Sequence, residues 1–349
     1  MKPSRLFTAI VLFAAQNVTI ALGQEIMCHL PKTLLRLEVT YEVTTAKHGP
    51  FYQYSERYLG TKDVVTQDKT SYNIVNVEIG TGAIADPVRT FSFIPGQDGL
   101  TTFSLSRDGM LQSLNANDQT TGANKKNENS NRKKPSENSV MPLSEEVLLT
   151  GSIAKMAEGT AKQIYRLREA RLNLLSGDVD KLPADANSMH QVLAEIERQE
   201  KELTSLFIGT IKKEVKHEKI IISEADLQSL VSAEGANEII AFRFSPIVGL
   251  VDTEDLSGAP FYLKASNISR AEKPINDKKS PALSPIKYCV PGSATFMLTD
   301  GKKTIKTSTL LLSALGYDAS LPADFIKKSP VLHFDRRTGA LLSAEQHSK

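Results

Sequence analysis

The chain has 349 residues, 40% of them hydrophobic and 23% charged, which is enough apolar material for two cores. Its net charge of +2 supplies no field that would gather nucleic acid, so nucleic acid is excluded as a partner. Tryptophan is absent and aromatic residues make up only 6%, which argues against a platform of exposed rings for stacking sugars.

Residues 1–23 have the layout of a signal peptide. Lys2 and Arg5 form a positive start, "LFTAIVLFAA" is the apolar stretch, and Ala21 and Gly23 supply the small residues that a signal peptidase needs. The apolar run falls short of the ~20 residues of a membrane span, and Gln16 and Asn17 interrupt it. Met27 precedes Cys28, whereas lipidation wants a small residue there. The expectation is an exported protein, periplasmic or extracellular, with no transmembrane segment after cleavage. Cys28 and Cys289 are its two cysteines. In an oxidising compartment they either pair or remain two buried thiols. A bridge over so long a loop is worth about 4–5 kcal/mol in the chain-entropy model.

The next region, 24–114, reads as β-rich. "TLLRLEVTYEV", from Thr33 to Val43, alternates apolar and polar residues as a half-buried strand does. "HGPFYQYSERYLG" reads as a turn at Gly49-Pro50 and a short helix stopped by Gly60. "SYNIVNVEIG", "TFSFIP" and "TTFSLSRDGMLQSLN" are further strands, the last pair turning at Asp108-Gly109. Residues 115–143 are rich in Asn, Lys and Ser and nearly free of apolar side chains, the composition of a disordered linker.

Residues 144–209 carry helical periodicity. One helix is expected from about Ser152 to Leu175, ended by Gly177. A second carries Met189, Val192, Leu193, Ile196, Leu203, Leu206 and Phe207 on one face and ends at Gly209. Strands return in 210–349: "KIIIS", "EIIAFRFS", "PFYLKAS", "YCVPG", "ATFMLTDGKKTIKTST" and "VLHFDRRTGALLSAE". Asp300-Gly301 marks another hairpin. The closing "LHFDRRTGALLSAE" is similar to "FSLSRDGMLQSLN", a thin sign of two related β regions.

Four motifs invite a chemical reading. "NLLSGDVDKLPADANSM" groups three aspartates, but the calcium-loop spacing fails. Counting from Asp178, Asp180 fits, while Leu182, Pro183 and Met189 stand where a ligand, Gly and Glu belong. As a helical corner every residue is used: Gly177 ends one helix, Pro183 prevents its continuation, and Asp185 caps the next. "GTGAIA", Gly80 to Ala85, matches a dinucleotide fingerprint, yet Asp86-Pro87 and another strand follow where a helix is needed. Ser152 and Lys155 have the S-x-x-K spacing of penicillin-binding enzymes, in which the lysine sits one turn from the serine and shares its proton; the accompanying motifs are missing. Asp252, Glu254 and Asp255 form an acidic turn. None of the histidines, 29, 48, 190, 217, 333 and 347, has zinc-ligand spacing, so no metal and no cofactor is implied.

Five stretches taken together, "LPKTLLRLEVTYE", "GPFYQYSERYLGTKDVV", "KMAEGTAKQIYRLREARLNLLSGDVDKLPAD", "FRFSPIVGLVDTEDLSGAPFYL" and "YCVPGSATFMLTDG", resemble an uncharacterised family of secreted Bacteroidota proteins, domain of unknown function 4831. The resemblance covers nearly the whole mature chain. It implies a Gram-negative envelope setting and brings no assigned activity or site.

These readings combine into an α+β protein with two β-rich regions flanking an antiparallel helical hairpin. The expected role is a non-catalytic envelope component that binds or scaffolds an envelope protein or glycan. The alternative is a serine-dependent acyl-transfer enzyme using Ser152 and Lys155. N-terminal sequencing of the exported protein is expected to begin at or near Gln24; a chain still beginning at Met1, or a lipid on Cys28, would contradict the export reading.

Overall fold

The computed structural model describes residues 25–96, 100–116, 143, 145–149, 151–179, 185–232, 238–274 and 282–345. The expected signal peptide and nearly all of the expected linker lie outside them.

The organising element is β1, Ile26–Lys47. Along it, side chains alternate between core and surface, as the strand period of two requires. Leu35, Leu37, Val39, Tyr41 and Val43 point to one core, and Cys28 and Leu30 to another. These two sets are out of phase. A register irregularity between His29 and Pro31 absorbs the mismatch, at a residue that has no N–H to give a ladder.

On one side β1 pairs with β2, Lys69–Phe93, and on the other with β5, Thr210–Ile221, both antiparallel. β2 is one strand. The strand is not broken at Gly80–Ala85, because Pro31–Arg36 of β1 hold them in the ladder; the pairing is irregular at Asp86–Arg89, opposite the His29–Pro31 irregularity. A second sheet has the order β10-β9-β8-β6-β7, formed by β6 (Glu238–Ser245), β7 (Gly249–Val251), β8 (Ala259–Ser269), β9 (Leu283–Thr299) and β10 (Thr304–Pro322). The main core lies between the two sheets, where Leu37 and Val39 meet Phe242, Leu263, Phe296 and Leu298. Tyr41 and Phe244 meet edge to face at 5.7 Å. α5, Glu224–Ser232, adds Leu227, Leu230 and Val231.

The third sheet joins β3 (Phe103–Leu105) and β4 (Leu111–Leu114) to β11 (Val331–Phe334) and β12 (Leu341–Glu345), in the order β12-β11-β4-β3. The two hairpins that look alike in sequence are therefore neighbours, with Leu332 opposite Leu114. The division into an N-terminal and a C-terminal β-rich region does not follow the sheets, since β5 joins β1 and β11 joins β4. A buried clasp adds to this interleaving. Thr33 N–H donates to Ser313 Oγ at 3.0 Å, Ser313 N–H donates to Thr33 Oγ1 at 3.1 Å, and Thr33 Oγ1 donates to the Arg337 carbonyl at 2.9 Å.

The helical part begins after Gly60, at φ +68°, has closed the short α1, Ser55–Leu59. After α2, Glu145–Leu148, come two long helices, α3 (Ile153–Ser176) and α4 (Ala186–Ile208). They pack side by side through Ala157, Ala161 and Ile164 of the first and Leu203 and Phe207 of the second. α6, Ala323–Ile326, is a single turn. The protein is thus a mixed α+β fold with three sheets.

Leu37 is fully buried, whereas Ile221, on the outer face of the same sheet, is exposed. Leu37→Ala is expected to cost about 2–5 kcal/mol in denaturant unfolding, through lost burial and the cavity left behind. Ile221→Ala is expected to stay within about 0.5 kcal/mol. Equal losses would mean the two faces of β1 and β5 are not distinguished by a core.

Candidate functional site

The last carbonyls of a helix have no partner within it. In α4 three of them are taken by the segment after β1. Phe51 N–H donates to the Leu206 carbonyl at 2.9 Å, Ser55 Oγ to that of Phe207 at 3.0 Å, and Val65 N–H to that of Ile208 at 2.9 Å. This explains Gly49 in "HGPFYQYSERYLG". A Cβ on Gly49 would lie 2.2 Å from the Leu206 oxygen, so the backbone turn fits against the helix only without one. Gly209 turns the chain into β5 at φ +83°, and a Cβ there would lie 2.5 Å from the Lys47 oxygen. Phe51 and Phe207 seal the joint with ring centroids 5.4 Å apart.

Beyond this base the helices leave the core. On α3 no described residue after Ile164 is buried, and on α4 none before Leu203. Leu172 is 66% exposed, Leu175 61% and Val192 39%. Leu172 and Leu175 share a groove with Arg168, Arg171 and Glu200. Arg168 pairs with Glu200 across the helices at 2.6 Å. Arg198 pairs with Glu195 at 2.6 Å and with Glu202 at 2.5 Å. Hydrogen bonds from Arg198 and Gln199 hold the exposed Glu195 carboxyl down at about 2. One groove beside the helices, about 590 Å³, is lined by Arg166, Leu167, Ala170, Arg198 and Glu202 among others. Another, about 470 Å³, is lined by Arg168, Arg171, Leu172, Leu175 and Glu200. Each has an apolar floor and a rim of arginine and glutamate.

The motif residues are scattered. Gly177, at φ +78°, ends α3. Asp185 caps α4, accepting from Ser188 N–H at 2.8 Å and Ser188 Oγ at 2.9 Å, and these bonds lower its pKa. Asp180 and Pro183 lie outside the described residues. Gly80–Ala85 lie within β2 with no helix behind them, so the dinucleotide geometry is absent. Ser152 starts α3 with its carbonyl accepting from Met156 N–H at 2.8 Å, and its side chain caps nothing. Lys155 is exposed, and neither residue lines the two grooves. Asp252 and Asp255 form a turn in which Asp255 accepts from Ser257 N–H at 2.8 Å. Among the described residues no three His, Cys, Asp or Glu side chains gather to hold a metal, and no helix is long and apolar enough to cross a membrane.

Cys28 and Cys289 are separate thiols, both fully buried. Burial pushes the Cys28 thiol up to about 12. It also raises that of Cys289, which the Arg89 guanidinium opposes. Arg89 itself is held in an ion pair with Asp318. Only a thiolate attacks a disulfide reagent. The native protein is therefore expected to show no reactive thiol at pH 8, and the denatured, unreduced protein two. A count of zero after denaturation would reveal a bridge, and rapid reaction of the native protein would refute the burial.

No curated protein and no solved structure matches the chain. The family model described as Domain of unknown function (DUF4831) matches residues 25–342, which takes in β1, the segment that caps α4, both long helices and every strand up to the start of β12. The chain belongs to this family of unknown function, DUF4831.

Proposed function

We propose that the protein is a non-catalytic, exported envelope component whose α3 and α4 form an antiparallel hairpin arm that docks a protein partner. The observation that carries this reading is the exposed apolar pair Leu172 and Leu175 in one groove, with Val192 exposed on α4, on helices that bury no described residue after Ile164 of α3 or before Leu203 of α4. Most helical stability in proteins comes from packing an apolar face rather than from propensity. A leucine moved fully from water into an interface gains about 1.5–3 kcal/mol. The arginine and glutamate rims add orientation more than affinity, because exposed ion pairs are weak and screened. The signal-peptide layout read in residues 1–23 and the resemblance to secreted Bacteroidota proteins support the envelope address. The acyl-transfer reading rests on Ser152 and Lys155, and the exposure of Lys155 gives it no support.

The test is crosslinking in envelope extracts with the intact mature protein and with L172S/L175S/V192S. The expected outcome is a partner crosslinked by the wild type and lost from the triple variant, with melting temperature changed by less than about 3 °C, as for exposed sites. Retention of the same partner by a folded triple variant would remove the arm from the interface. Turnover of an acyl substrate abolished by S152A would replace the scaffold reading with the enzymatic one.

A further inference from the structure

β5 is the outermost strand of its sheet, and no described element hydrogen-bonds its free edge. It is exposed on both faces along nearly its whole length. A row of unpaired N–H and C=O groups of this kind is a template for another strand. Proteins commonly protect such edges with charge, and β5, "TIKKEVKHEKII", is heavily charged. Its charges are arranged unusually. Lys216 lies opposite Tyr41, Glu218 opposite Val39 and Glu214 opposite Val43, so Lys212, Glu214, Lys216 and Glu218 share the core-side face and alternate in sign. On the other face Lys213 pairs with Glu42 at 3.1 Å and Lys219 with Glu38 at 3.4 Å. On the core-side face Glu218 accepts from Tyr41 Oη, while Lys212, Glu214 and Lys216 form no ion pair among the described residues.

We propose that β5 is a homodimerisation edge: two copies of this chain join antiparallel through β5, with Val215 on the two-fold axis, into a continuous six-stranded sheet. The register follows from charge. An antiparallel pair related by a two-fold must set residues of the same face opposite one another, so the axis passes through a residue. An axis at Glu214 or Lys216 sets like charges face to face. An axis at Val215 sets Lys212 opposite Glu218 of the second copy and Glu214 opposite its Lys216, each twice, and uses the strand from Thr210 to Ile220. An axis at His217 shortens the overlap and leaves Glu214 opposite Ile220. Opposite charges directly across a ladder stabilise it and like charges destabilise it. The alternation rejects an axis at Glu214 or Lys216, and among the remaining axes Val215 sets the most opposite charges across the ladder, while the main-chain ladder supplies affinity.

Sedimentation velocity of the mature protein up to about 100 µM, a range suited to a small interface, tests this. A dimer is expected. E214K sets lysine against Lys216 at both symmetry-related positions and should raise the dimer dissociation constant at least about tenfold. E214K/K216E reverses both partners and should restore dimerisation to within about threefold of wild type. Both positions are exposed, so folding is expected to be retained, and circular dichroism checks it. A wild type that stays monomeric over this range, a dimer indifferent to E214K, or a double variant that fails to recover while folded would each overturn the proposal.

Discussion

The alternation along β1 is the constraint on which the other elements rest. The strand supplies both faces of the problem at once: apolar side chains for two cores, and polar ones for the solvent side of a three-stranded sheet. A slip of one residue would turn Leu35, Leu37 and Val39 outward, so the pairing register is set by burial rather than by turns. The irregularity at His29–Pro31 keeps both apolar sets inward although they are out of phase. β2 and β5 inherit their positions from β1, and the segment that leaves it at Lys47 reaches the helices.

That segment solves a second problem, the open carbonyl end of α4. A helix that ends against a sheet must satisfy its last acceptors from elsewhere. Here the donors are Phe51 N–H, Ser55 Oγ and Val65 N–H, and a glycine at position 49 permits the close approach. Beyond this base α3 carries the exposed Leu172 and Leu175 and α4 the exposed Val192. The same junction, through Gly209, delivers the chain into β5 at the free edge of the sheet. The two surfaces proposed to meet partners, the outer part of the helices and the edge strand, thus leave from one joint.

The sheets interleave the two ends of the chain. β4 pairs with β11, β5 with β1, and Thr33 exchanges buried hydrogen bonds with Ser313. A hydroxyl pair that is buried and satisfied on both sides is costly to break, because each lost partner leaves a desolvated group. The ends are held by this clasp and by the Arg89–Asp318 ion pair.

The amino-acid sequence by itself determined the elements whose signal is local. These are the alternation from Thr33 to Val43, the two long helices with Gly177, Asp185 and Gly209 at their ends, and the turns at Asp108-Gly109 and Asp300-Gly301. Each depends on neighbours a few residues away, where periodicity, capping and positive φ act. The tertiary structure decided the rest. Of β5 only its end, Lys219–Ile221, reads as strand; Thr210–Glu218 read as a charged stretch because both faces meet water and no alternation exists to be seen, and the ladder offered by β1 makes them a strand. β2 runs through Gly80 and Gly82 because β1 holds it there, and Pro87 falls in the register irregularity opposite His29–Pro31. The partition of strands among sheets, the capping of α4 by residues far away in the chain, and the exposure of Leu172 and Leu175 also escape local pattern. An amphipathic stripe announces that a face is apolar, while only the surrounding fold decides whether anything covers it.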